Sequence, residues 1–191
     1  MKKLQHNQLA AEIHANSLKH GWWESNPSTE HFLTLVVCEL AEAVEADRVE
    51  RKADVTTFER RIQEKPSEHE AATYQQRYAY WFEAYIKDTV ADELADAAIR
   101  LLDIAGAHNY NFSKPFTCYS MLVNIGQSFT ENIGCIMECV LCHTMTAYHR
   151  VACALAQIEW LAWQMNIDLA WHIKHKMLYN ASRPYKHGKA Y

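Results

Sequence analysis

The chain has 191 residues but only 5 Gly and 4 Pro, well below the average usage of about 7% and 5%. A chain so poor in turn formers builds a few long elements, and it contains neither GxGxxG nor GxxxxGK[ST] to cradle a phosphate. A net charge of −4 argues against a polyanion partner, and 49% apolar with 22% charged residues describes a packed core rather than a disordered chain.

In chain order, residues 4–20 read as a first helix ending near Gly21. Glu30–Arg51 has helical periodicity, with Phe32, Leu35, Val36, Leu40, Ala43 and Val44 apolar. Residues 52–68 are polar, contain Pro66 and read as a loop or a short helix. One long helix is expected over about Glu70–Ala107, then a turn-rich break at Asn109–Lys114. Two further helices follow at about 117–143 and 145–165, and a last one at about Asp168–Ser182, stopped by Arg183-Pro184. No segment shows sustained β alternation. The expected fold is an all-α bundle of about five or six helices in a single domain spanning 1–191, with ligand sites between facing helices. The apolar stretch Val151–Met165 is too short and too polar to span a membrane. No signal peptide is evident in the MKKLQHNQ start, and free thiols are expected at Cys38, Cys118, Cys135, Cys139, Cys142 and Cys153, as in a reducing cytoplasm.

Two pairs of acids sit where apolar residues belong. On a helix, Phe32, Leu35, Glu39, Glu42 and Ala46 form one stripe. Glu39 and Glu42 therefore fall inside the apolar face, where a carboxylate is costly unless paired or metal-bound. The second helix repeats the arrangement in Asp92-Glu93-Leu94-Ala95-Asp96, with Phe82, Ile86, Thr89, Glu93, Asp96 or Ala97, Arg100 and Ile104 along a stripe. Acids three apart are common on solvated faces. Two such pairs on antiparallel helices can instead bring four carboxylates together, an oxygen-only set suited to Mg²⁺ or Mn²⁺ rather than structural zinc. A di-iron carboxylate bundle needs Glu-x-x-His, and an HD-type phosphohydrolase needs His-Asp. Neither occurs.

The last helix carries Lys176, Asn180 and Arg183 on one face, followed by Lys186, His187 and Lys189. A cation cluster in an acidic chain points to a specific anion, of which phosphate is the simplest. The same residues at a helix C-terminus also serve merely to oppose its dipole. Cys139-Val140-Leu141-Cys142-His143 matches the CxxCH haem pattern, and with Cys135 offers zinc ligands, but small core residues on a buried helix explain it better. Trp22 and Trp23 either pack in the core or wall a base pocket.

Glu39-x-x-Glu42, Glu93-x-x-Asp96 and the Lys176–Lys189 tail together resemble the MazG-like all-α nucleoside triphosphate pyrophosphohydrolases. The resemblance implies a catalytic core at 28–108 and 168–189, with extra apolar helices at about 117–165. It implies hydrolysis of an NTP or dNTP to the monophosphate and pyrophosphate, with Glu39, Glu42, Glu93 and Asp96 holding Mg²⁺ or Mn²⁺. Water activated at this centre, with Glu39 and Glu42 as catalytic residues, would attack the α-phosphorus. Lys176, Asn180, Arg183, Lys186 and Lys189 would bind the phosphates or sugar, and members are usually homo-oligomers, here a dimer or tetramer. The sequence departs from the family at Cys38, where members often carry the first Glu of a Glu-Glu pair, a place Glu45 partly covers. The alternative is a non-enzymatic helical bundle that binds a nucleotide or a partner protein.

Overall fold

The computed structural model describes residues 5–64, 73–113 and 126–188. Helices α1 (His6–Lys19), α2 (Thr29–Arg48), α3 (Val55–Gln63), α4 (Tyr74–Tyr85), α5 (Val90–Ala107), α6 (Phe129–Leu141), α7 (Ala147–Gln164) and α8 (Leu169–Ala181) are followed by a 3₁₀ turn at Tyr185–Gly188. The fold is all-α, with no strand among the described residues and eight α-helices rather than five or six.

Helix starts follow the local sequence. The Ser28 hydroxyl accepts the His31 N–H at 3.2 Å to open α2. Reciprocal capping boxes open α4 at Thr73/Gln76 and α6 at Ser128/Glu131, each meeting two otherwise unpaired N–H groups. The largest departure from expectation lies in the segment read as one long helix to Ala107. Its described part is two helices, α4 and α5, broken at residues 86–89. Asp88 adopts a left-handed backbone (φ 58°). The Thr89 hydroxyl donates to the Ile86 carbonyl at 2.7 Å and accepts the Asp92 N–H at 3.3 Å, capping a new helix. The break needs no Gly or Pro because a Thr N-cap supplies the stop and the start together. It also puts Asp92 and Glu93 in the first turn of α5, where the helix dipole favours negative charge.

Helix α5 is the central strut. Leu94, Leu101, Leu102 and Ile104 are fully buried on it, and α1, α2, α7 and α8 pack around it. Helices α6 and α7, the apolar segment outside the family resemblance, join the same core through Ile133, Ile136, Leu155 and Ile158. Residues 114–125, which include the expected start of that segment, lie outside the described residues. Helices α1 and α5 meet closely enough at Gly106 that a Cβ there would collide with the Ala10 carbonyl and His14. A second, aromatic cluster of Phe58, Tyr78, Phe82, Ile86 and Tyr179 joins α3 and α4 to α8. After α8 the chain folds back over the end of α1. Tyr185 packs on Gly21 (φ 78°) and its hydroxyl donates to Glu24, while the Lys186 N–H donates to the His20 carbonyl at 3.0 Å.

No helix among the described residues is long and apolar enough to cross a membrane. Cys38, Cys135 and Cys142 are free thiols.

Candidate functional site

The acids of α2 and α5 face one another across a cleft of about 240 Å³, closed on its other sides by α1 and α8. Glu39 and Glu42 come from α2, Glu93 and Asp96 from α5, and Lys176, Asn180 and Arg183 from α8. Carboxylate oxygens of Glu39, Glu42 and Glu93 lie within 4.8 Å of one another, and so do those of Asp88, Asp92 and Glu93. Asp96 lines the cleft but stands in neither grouping, and its carboxylate pairs with Lys176.

Two protein cations already occupy part of this acidic shell. The Arg100 Nε donates to Glu39 Oε1 at 2.6 Å, and its Nη2 approaches the same oxygen at 2.5 Å. The Lys176 Nζ bridges Asp92 and Asp96 at 2.7 Å each. Lys176 is only 4% exposed, so its ammonium acts first as the counter-ion that joins α8 to α5, rather than as an open phosphate ligand. Burial opposes that charge, but Asp96 and Asp92 outweigh it and raise the Lys176 pKa. Asp92 is fully buried; it also accepts the Asp88 N–H at 3.0 Å, and burial pushes its carboxyl up to about 7 despite Lys176.

Glu93 is left out of these pairings. It is 3% exposed and its Oε2 is buried without a hydrogen bond. Burial first, then the neighbouring Asp96 charge, push its carboxyl up to about 9. Burial also raises Glu39, against the pull of Arg100. A buried carboxylate without a partner costs free energy, a cost that one divalent cation among Glu39, Glu42 and Glu93 would remove. An all-oxygen carboxylate set containing one unpartnered oxygen fits a hard cation such as Mg²⁺ or Mn²⁺.

The remaining basic residues separate in space. Arg183 lines the cleft, its guanidinium 5.6 Å from the centre of the Tyr179 ring, and makes no ion pair among the described residues. Asn180 lines it too, with a buried Oδ1 that has no hydrogen bond. Lys186 lines an adjoining cavity instead, and Lys189 lies outside the described residues. Glu45 is exposed and pairs with Arg48 at 2.6 Å, so it does not stand in for the acid missing at Cys38.

Several contributors carry no motif. Arg100 lies seven residues after Glu93, on the stripe that bears the acids, and that register was its signal. Asp103 lies under the cleft, accepting from Ser17 Oγ and His14 Nδ1 at 2.7 Å each and from Trp23 Nε1 at 3.1 Å. Trp23 is thereby turned inward and stacks on Phe32 at 4.2 Å. Trp22 lines the cleft. No family model, no curated protein and no solved structure matches the chain.

Proposed function

We propose that this chain is a divalent-metal-dependent nucleotide pyrophosphohydrolase that cleaves an NTP or dNTP to the nucleoside monophosphate and pyrophosphate. The observation that carries the reading is the convergence of Glu39, Glu42 and Glu93 from two helices around an unpartnered buried oxygen, in one cleft with Asn180 and Arg183. The resemblance of these residues to the MazG-like pattern supports the same chemistry.

In this reading Glu39, Glu42 and Glu93 hold Mg²⁺ or Mn²⁺, which when bound neutralises phosphate charge and lowers the pKa of its water. Arg100 fixes the orientation of Glu39, and the Lys176 bridge fixes Asp92 and Asp96, so the acids are pre-set on rigid helices. Arg183 and the Asn180 amide bind the phosphate chain, and the guanidinium stabilises charge gathering on the leaving pyrophosphate. Glu42, exposed at the mouth of the cleft, accepts the proton of the attacking water. The new bond joins that oxygen to the α-phosphorus, and the α–β anhydride bond breaks. Repeated subunits, as the family resemblance implies, form part of this proposal.

Purified protein incubated with a panel of NTPs and dNTPs and Mg²⁺ or Mn²⁺ is expected to release pyrophosphate, and Glu39→Gln to abolish it. If no nucleotide yields pyrophosphate, the hydrolase reading fails. The second reading is a non-enzymatic nucleotide-binding bundle. It is favoured by the fact that Arg100 and Lys176 already neutralise much of the acidic shell. Calorimetry showing metal-dependent nucleotide binding without turnover would select it.

A further inference from the structure

A second cavity, of about 540 Å³, adjoins the acidic cleft, and Trp22 and Phe32 line both. Its character is different. Its walls include Trp22, Phe32, Leu35, His31, Cys38 and Lys186, and no carboxylate lines it among the described residues. Phe32 lies seven residues before Glu39 on α2, which at about 1.5 Å per residue is roughly 10 Å along the helix. That separation matches the reach of a nucleotide from its base, across the ribose, to its phosphates.

Lys186 is the one lysine or arginine in the lining among the described residues, and the fold holds its backbone in place. Its N–H donates to the His20 carbonyl at 3.0 Å, its backbone is left-handed (φ 46°), and the preceding Tyr185 is seated on Gly21. The Thr34 hydroxyl already donates to the Glu30 carbonyl at 2.9 Å. The Ser25 hydroxyl and the His31 ring also line the cavity, and Lys186 adds an ammonium, a group that donates and cannot accept.

We infer that this cavity is the base pocket of the proposed enzyme, and that it selects keto-bearing bases, whose carbonyl oxygen accepts from Lys186, over adenine. The base lies against Trp22 and Phe32 while its phosphates enter the acidic cleft. Adenine offers an amino group at the position where guanine and uracil offer a carbonyl, and that donor meets a second donor in the pocket. Sites built to hydrogen-bond one group reject analogues lacking it far more strongly than apolar pockets reject a size change.

The inference rests on the proposed hydrolase reading, and two measurements separate the fates of the two. Steady-state kinetics with GTP, UTP and ATP is expected to show kcat/KM higher for GTP and UTP by about 10- to 100-fold, the value of a hydrogen bond to a charged donor. Lys186→Met should reduce that ratio to within about threefold by lowering the GTP and UTP values. Calorimetric binding of GMP, UMP and AMP, which needs no turnover, should show the same preference and the same loss in Lys186→Met. Gly21→Ala, which displaces Tyr185, should weaken the preference as well. Turnover of all three nucleotides at equal efficiency would overturn the base pocket and leave the hydrolase reading standing. Keto-selective monophosphate binding without turnover would overturn the hydrolase reading and leave the pocket. Monophosphate binding without base preference, or a preference unchanged by Lys186→Met, would overturn the pocket in either case.

Discussion

Glu93→Gln is expected to stabilise the metal-free protein at alkaline pH while removing its metal site. The Glu93 carboxyl is held up to about 9 in the folded chain, against an ordinary value of 4.5. Above pH 4.5 the unfolded chain has released this proton, while the folded chain keeps it until about pH 9. The folded state therefore binds one more proton across that window, and stability falls as pH rises through it. A full proton corresponds to about 1.4 kcal/mol per pH unit, so the fall between pH 6 and pH 8 is on the order of 3 kcal/mol. In a domain of this size that is a fall in Tm of roughly 6–12 °C beyond whatever the variant shows. Glutamine has the shape of the protonated acid and does not titrate, so Glu93→Gln lacks this component. The assay is thermal unfolding in chelator from pH 6 to pH 8, repeated with millimolar Mg²⁺. Mg²⁺ should raise the Tm of the wild type, since a ligand that binds only the folded state stabilises it, and leave Glu93→Gln unmoved. Parallel Tm–pH curves for the two proteins in chelator would refute the reasoning.

Three other expectations follow from the same geometry. Mg²⁺ affinity should tighten as pH rises from 6 to 8, by up to about tenfold per unit, because Glu93 must lose its proton to bind. Calorimetry in two buffers of different ionisation enthalpy reports that release, and a pH-independent affinity would contradict it. Lys176→Met leaves Asp92 and Asp96 without their buried ammonium and should cost about 3–5 kcal/mol in urea unfolding. Adding Asp92→Asn should recover part of it, and a cost below about 1 kcal/mol would show that the bridge is not buried as described. Phe58→Ala, which empties the centre of the aromatic cluster of α3, α4 and α8, should cost about 3–5 kcal/mol by the same measurement. Mg²⁺ binding should persist in that variant, since Phe58 does not line the cleft.

Much of the fold was legible in the residues. Apolar spacing located α1, α2, α7 and α8 within a few residues, because a 3.6-residue period is a local property. The break at Asp88-Thr89 contains neither Gly nor Pro, so composition does not reveal it; a Thr N-cap ends one helix and begins the next. For α3 the polar residues 52–68 are compatible with either a loop or a short helix. It forms because the Asp54 carboxylate caps it, accepting the Thr57 N–H at 2.9 Å, and because Phe58 is buried against α4.

The candidate site was legible as a paradox of composition. Glu39 and Glu93 stand at positions where helical geometry demands apolar side chains, and that much follows from spacing alone; Glu42, expected inside the same apolar face, is exposed instead, because α2 turns it to the mouth of the cleft. Which acid lacks a partner does not, because pairing depends on what lies across the cleft. Arg100 and Glu39 are 61 residues apart and Lys176 and Asp92 are 84 apart, so no local pattern reveals that one carboxylate is paired and its neighbour is not. Only the packing of α2 and α8 against α5 leaves Glu93 buried and unpartnered, turns Trp23 onto Asp103, and opens beside the acids a cavity to whose lining Lys186 brings its ammonium.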